Sequence, residues 1–117
     1  MSKKKAKVRA FDTGATRDTD LDKIDYEGFL CPLVLERFGE YMRKHQYQSD
    51  GTLRASDNWQ KGIPQDAYMK SMWRHFHAVW MEHRDHHTPD GMEENLCALM
   101  FNSMGMLSEI LKENEQL

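Results

Sequence analysis

Residues 64–84, PQDAYMKSMWRHFHAVWMEHR, decide the fold. Proline is tolerated in the first turn of a helix, and after Pro64 apolar residues recur every three or four positions. They form one continuous stripe, which consists of Tyr68, Met69, Met72, Trp73, Phe76, Val79, Trp80 and His83. The stretch therefore predicts a long helix over 64–84 with an apolar face wide enough to contact more than one helix.

Similar patterns occur on both sides of this stretch. Residues 29–46 carry Pro32 near their start and an apolar stripe, and residues 91–114 repeat apolar residues at the same spacing. Residues 47–63 contain turn-forming residues and predict a long loop. Because no segment alternates cleanly as a strand does, the chain predicts an all-α helical bundle of three long helices plus one long loop.

The length of 117 residues indicates one domain. Residues 1–25 are polar and without periodicity, which predicts a tail and an extended arm, followed by a single helical domain over 26–117. Three helices with wide apolar faces make a poor closed core, and the nine methionines suit adaptable packing. We therefore expect a homodimer or higher homo-oligomer to complete the bundle.

Composition narrows the class of protein. A net charge of −3 argues against a nucleic-acid binder that works by bulk electrostatics. Cys31 and Cys97 lie in apolar stretches without metal-ligand spacing, which is typical of buried free thiols in a reducing compartment. No run is long and apolar enough to span a membrane, and no signal-peptide pattern follows the first lysines. The sequence predicts a cytoplasmic protein.

Carboxylates supply the first candidate chemistry. Glu36 and Glu40 are neighbours on the first helix, and Glu93 and Glu94 open the third. Glu82 ends the second helix. Oxygen ligands of this kind suit Mg²⁺, although paired acids are also common on solvated helix faces.

Histidines come next, with five of the six in RHFHAVWMEHRDHH. Zinc is not favoured, because His75 and His77 do not share a helical face. Arg74 and His75 together could hold a phosphate and move a proton, or His75 could be a structural helix contact. Phosphate-binding glycine loops and serine nucleophile motifs do not occur.

The loop SDNWQKGIP, residues 56–64, combines an amide, an aromatic ring and a cation. Trp59 either covers the core or stacks on a flat, negatively charged ligand.

Several fragments together resemble one family. The chain is similar, over about residues 12–111, to phage proteins known as dATP/dGTP diphosphohydrolases. The fragments that carry the resemblance are TGATRDTD, KIDYEGFL, SDNWQKGIP, YMKSMWRHF and EENLCALMFN. That family is regarded as a distant branch of the all-α, MazG-like nucleotide pyrophosphohydrolases. MazG-like enzymes place E-x-x-E and E-x-x-D pairs on successive helices, whereas this chain has that spacing only in EHRD, from Glu82 to Asp85.

The resemblance implies Mg²⁺-dependent hydrolysis of dATP or dGTP to monophosphate and pyrophosphate, with Mn²⁺ as an alternative ion, in the host cytoplasm of a phage. For such an enzyme we expect the catalytic residues to be Glu40, Glu94 and His75, and the metal ligands to be Glu36, Glu40, Glu93 and Glu94. The nucleotide would contact Arg17, Asn58, Trp59, Lys61, Arg74 and Asn102. The alternative is a non-catalytic small phage protein that binds a nucleotide or a host protein through its wide apolar face.

Overall fold

The computed structural model describes residues 8–19 and 21–115, which form a small hairpin followed by helices. Two strands pair in antiparallel fashion, with Arg9 opposite Arg17. One 3₁₀ turn, Asn58–Lys61, interrupts the loop before the third helix. The elements in chain order are β1 Val8–Ala10, β2 Thr16–Asp18, α1 Tyr26–Phe29, α2 Pro32–Lys44, α3 Gln65–His83 and α4 Gly91–Glu115.

The hairpin corrects the all-α prediction: the chain is mostly helical, but part of the predicted extended arm is a β-sheet. Its turn is closed by two backbone bonds of 2.9 Å, from Phe11 N to Ala15 O and from Gly14 N to Phe11 O. Gly14 has a φ of 86°, a left-handed conformation that glycine adopts without steric cost. Strands of three residues are too short to show an alternation of apolar and polar residues, so the sequence does not indicate the hairpin. Residues 1–7 of the predicted tail lie outside the described residues.

The predicted start of the first helix, 29–46, is wrong, because this region contains two helices, the short α1 and the longer α2. Asp25 Oδ1 accepts a hydrogen bond from Gly28 N at 3.0 Å and caps the short α1. Leu30 is extended, with φ −104° and ψ 153°. Cys31 precedes a proline, which disfavours helical backbone, and α2 then begins at Pro32. The prediction of a buried thiol is wrong for Cys31, which is exposed between the two helices, and is confirmed for Cys97.

The other two helices are confirmed, with bounds within one residue of those predicted. α3 and α4 run antiparallel: Gln65 Nε2 donates to Glu113 Oε1 at 3.1 Å near one end. Near the other end, Glu82 Oε1 accepts from Thr88 N at 2.7 Å and from Thr88 Oγ1 at 2.9 Å, which holds the connecting turn.

The core lies where α2 packs on α4. It is small, and most large apolar side chains of the described residues stay more than a third exposed. None of the helices formed by residues 8–19 and 21–115 combines the length and apolar character needed to cross a bilayer. The core cluster consists of Tyr41, Cys97 and Ala98, with Phe38, Met42 and Phe101 packed against it.

The chain divides into two compact units at the Pro32–Leu33 bond. The first contains the hairpin and α1, and the second contains the rest of α2 together with α3 and α4. The predicted domain boundary after residue 25 stays a prediction.

Candidate functional site

A pocket of about 200 Å³, named here the polar pocket, lies between α2, α3 and the first turns of α4. Two of the predicted catalytic residues, Glu94 and His75, line it together although they come from different helices. The fold thus brings two acids, a cation and two imidazoles into one small space. The lining residues are Tyr41, Lys44, His45, His75, Asp90, Glu94, Asn95 and Ala98.

Glu94 is held as a carboxylate by cations of α2. Lys44 Nζ donates to Glu94 Oε2 at 2.5 Å, and Arg37 Nη2 lies 3.7 Å from Glu94 Oε1. The hydrogen bond from Lys44 is the main reason why the pKa of Glu94 lies below its ordinary value. Glu94 is therefore ionised at neutral pH, and it lines the pocket as a carboxylate that is paired with Lys44.

His75 is oriented by Asn95, a residue that the sequence analysis did not single out. The ring nitrogen His75 Nδ1 lies 2.9 Å from Asn95 Oδ1. Asn95 Nδ2 donates to Gly91 O at 2.8 Å, one turn earlier in α4. An asparagine inside a helix does not by itself indicate a function in the sequence. The contact with His75 is apparent only in the structure, where α3 packs against α4.

Tyr41 and His45 form another wall of the polar pocket, with ring centroids 4.3 Å apart. Burial lowers the pKa of His45, and burial raises the pKa of Tyr41 to about 12. Both side chains are consequently neutral at physiological pH, and they lie beside Lys44, a cation in the lining of the pocket.

A second space, named here the aromatic cavity, holds about 150 Å³ and shares Tyr41 and His45 with the polar pocket. Trp59 and Asn58, both predicted to meet a nucleotide, line it. Trp59 is half-buried, and its ring lies edge-on to Phe101 with centroids 6.3 Å apart. Trp59 therefore both packs on the core and faces the cavity. The remaining lining residues are Met42, Gln46, Arg54, Ala55, Ser56 and Phe101.

Hydrogen bonds shape the loop that carries this wall. Arg54 N donates to Gln46 O at 2.8 Å, and Gln46 Nε2 donates to Arg54 O at 3.1 Å. Asp50 Oδ1 accepts from Thr52 N at 2.9 Å and from Thr52 Oγ1 at 2.6 Å, which closes the tip. These bonds anchor Arg54 beside the end of α2, and Arg54 is a second lining residue that sequence analysis missed.

Comparison with known families supports the resemblance. A family model described as dATP/dGTP diphosphohydrolase, N-terminal, matches residues 13–117. The chain belongs to this family. No curated protein and no solved structure gives a match.

Four of the residues predicted to contact a nucleotide line neither the polar pocket nor the aromatic cavity. Lys61 and Arg74 are exposed and line neither the polar pocket nor the aromatic cavity. Asn102 is buried, and its Nδ2 donates to Ala98 O of its own helix at 2.8 Å. Arg17 belongs to β2, in the first compact unit. Their contacts with a nucleotide stay predictions.

The predicted magnesium ligands of this chain do not form a preassembled cluster. Glu36 and Glu40 are exposed on α2, and Glu93 pairs with Arg37 Nε at 2.9 Å. Across residues 8–19 and 21–115, no group of three His, Cys, Asp or Glu side chains could hold a metal ion. The described residues therefore do not fit a resident metal site, and the magnesium ligand set stays a prediction.

Proposed function

We propose that this domain hydrolyses dATP or dGTP to the monophosphate and pyrophosphate. The observation that supports the proposal is the wall shared by the two spaces. Tyr41 and His45 line an aromatic cavity on one side and a polar pocket on the other. A nucleoside triphosphate has the same division, with an aromatic base at one end and an anionic chain at the other.

In the proposed pose, the base occupies the aromatic cavity. Trp59 offers a ring face or edge for aromatic contact, which is worth roughly 1–3 kcal/mol for a stacked base. Asn58 and Arg54 line the same cavity and can form hydrogen bonds with a purine edge. Purines would gain more from this cavity than the smaller pyrimidines, in agreement with the family's name.

The triphosphate then extends into the polar pocket. Lys44 neutralises phosphate oxygens, and doing so requires it to share or release Glu94. Glu94, once released, is a carboxylate close to His75 that can orient a water molecule. Phosphoryl transfer depends mainly on such positioning and charge neutralisation.

The reaction itself consumes one water molecule. Water attacks a phosphorus atom next to the α–β bridging oxygen, and His75 accepts its proton as general base. The bond from that phosphorus to the bridging oxygen breaks, and monophosphate and pyrophosphate separate. Further nucleotide contacts are proposed for three cations that would meet phosphate oxygens, Arg74, Lys61 and Arg17, and for Asn102.

Magnesium is proposed to enter as the metal complex of the triphosphate, with Mn²⁺ as a substitute. An ion that arrives with phosphate ligands needs only one or two protein carboxylates. Glu40 is the proposed principal ligand, with Glu36, Glu93 and Glu94 as its alternatives. No preassembled cluster of three acids is required for this mode of binding.

A second copy of the chain is proposed to complete the bundle. α3 presents exposed apolar side chains in a row, with Trp73 68% and Phe76 55% exposed. Apolar surface of this kind is typical of interfaces. We place the protein in phage nucleotide metabolism in the host cytoplasm, without nucleic-acid or membrane partners.

The second candidate function is binding without catalysis. It is favoured by the ion pairs that already occupy Glu93 and Glu94. Such a protein would hold a nucleotide in the same two spaces, or a host protein on the apolar face of α3, and would release no product.

Incubating the purified protein with dATP, dGTP, dCTP or dTTP in the presence of Mg²⁺ and measuring pyrophosphate tests the proposal. We expect pyrophosphate from the two purine nucleotides, and loss of its release when EDTA is added. Nucleotide binding without any product would favour the second candidate.

A further inference from the structure

The bond between His75 and Asn95 determines which nitrogen of the imidazole carries the proton. Asn95 Nδ2 already donates to Gly91 O, so the side-chain oxygen is the atom that faces His75. An amide oxygen only accepts hydrogen bonds. His75 Nδ1 must therefore be the donor, and in the neutral ring Nε2 keeps its lone pair.

The surroundings make Asn95 a rigid support. Its side chain is 3% exposed, and both of its polar atoms have a partner. Gly91, which accepts from Asn95, is itself tied by its N–H to Thr88 Oγ1 at 3.2 Å. Thr88 in turn donates to Glu82, so the chain of bonds extends from the imidazole to the end of α3.

We propose that Asn95 is a positioning residue that locks His75 in the Nδ1–H tautomer. A neutral imidazole free in water favours the opposite, Nε2–H, tautomer. The lock keeps the Nε2 lone pair available to accept a proton, which is what a general base requires. The use of that lone pair in hydrolysis rests on the proposed function, whereas the tautomer itself does not.

The other ionisable groups around the polar pocket are Tyr41 and Lys44 of α2, His45 directly after α2, Asp90 directly before α4, and Glu94 of α4. None of them is the hydrogen-bond partner of His75 Nδ1, since that position is taken by Asn95. The tautomer therefore depends on one identifiable side chain, which a single substitution removes.

The test is long-range ¹H–¹⁵N NMR of the imidazole rings at alkaline pH, above the usual titration range of histidine. Wild-type protein should give the Nδ1–H pattern for His75. Asn95→Ala should convert it to a mixture in which Nε2–H predominates, while circular dichroism verifies that the variant is folded. The exposed His77, on the same helix, serves as internal control and should not change.

Asn95→Asp supplies a rescue, because its carboxylate oxygen can accept from Nδ1–H as the amide oxygen does. This variant should keep the Nδ1–H pattern of His75. Asn95→Asp removes only the donor to Gly91 O, whereas Asn95→Ala removes both that donor and the acceptor for His75, so the two variants separate the two effects. In the hydrolysis assay, Asn95→Ala should lower kcat about tenfold or more, as part of the contribution of general-base catalysis, and change KM little. Asn95→Asp should recover much of kcat at the same alkaline pH.

An Nε2–H pattern for His75 in the wild type, or an unchanged Nδ1–H pattern in folded Asn95→Ala, would overturn the inference. The predicted NMR patterns in a protein that releases no pyrophosphate would uphold the tautomer lock and contradict the proposed function instead.

Discussion

Tyr68 of α3 packs directly on Gly105 of α4, so closely that a Cβ atom at residue 105 would lie 2.5 Å from the Tyr68 hydroxyl oxygen. Tyr68 is 1% exposed, the most buried large side chain among the described residues. The glycine, which ordinarily weakens a helix, here allows an aromatic ring to rest on the helix backbone. This contact fixes the distance between the two helices that also carry His75 and Asn95.

Gly105→Ala is expected to lower the free energy of unfolding by about 1–3 kcal/mol, because the added methyl group overpacks the contact with Tyr68. Urea unfolding followed by circular dichroism measures the change. Gly39→Ala is the matched control: this glycine also lies inside a helix, but nothing stands within 4 Å of its would-be Cβ. It should gain up to about 1 kcal/mol from helix propensity. Equal effects of the two substitutions would contradict the packing argument.

Trp59→Ala is expected to raise KM for dATP or dGTP about tenfold, since the base loses an aromatic partner worth roughly 1–3 kcal/mol. Because Trp59 also contacts Phe101, a modest loss of thermal stability should accompany the change. Steady-state kinetics and a melting curve measure both effects. Tyr47→Ala, an exposed aromatic of the same loop that does not line the cavity, should leave KM unchanged. A large drop in Tm with unchanged KM would show that Trp59 only covers the core.

The ion pair of Glu94 predicts how stability depends on pH. Its pKa is lowered in the folded state, so its contribution is complete above the unfolded value of about 4.3 and is lost as pH falls below that value towards the lower folded pKa. Glu94→Gln should therefore destabilise the protein at neutral pH and lose this effect in acid. Urea unfolding across the range from about pH 7 to pH 3 gives the comparison.

Two other carboxylates also contribute stability that is lost in acid, because their pKa values are lowered in the folded state. The pKa of Glu82 is lowered by hydrogen bonds from the Thr88 backbone and hydroxyl, and the pKa of Asp50 by bonds from Thr52. Glu94→Gln should consequently flatten the acid dependence only in part. An acid dependence identical to that of the wild type would show that the Lys44–Glu94 pair adds nothing to stability.

Trp73→Asp with Phe76→Asp is expected to convert a dimer to a monomer, because it places charges in the middle of the exposed apolar face of α3. Multi-angle light scattering at micromolar concentration measures the mass. Arg43→Asp, at an exposed position of α2, introduces the same new side chain outside that face and should leave the mass unchanged. A wild-type protein that is already a monomer under these conditions would contradict the proposed second copy.

The periodicity of the sequence predicted α3 and α4 well, because long helices bury one continuous stripe that a single stretch displays. It failed at α1 and the hairpin, where Asp25 and Gly14 act through local bonds that span only a few residues. Within the site, Glu94, His75, Asn58 and Trp59 were identified from their chemistry and lie in two adjoining spaces. Asn95, Arg54 and Lys44 were missed, because an ordinary polar residue becomes notable only when a distant segment packs against it.

The central claim is that His75 acts on a triphosphate held across the two spaces, and the rate of pyrophosphate release from Mg²⁺·dATP or Mg²⁺·dGTP tests it most directly. The comparison is between His75→Ala and His77→Ala, two variants of one helix of which only the first alters the polar pocket. The account predicts that His75→Ala lowers kcat about 100-fold or more, as loss of a general base does, while His77→Ala retains wild-type turnover. Release by His75→Ala at the wild-type rate, or no release by the wild type itself, would contradict it.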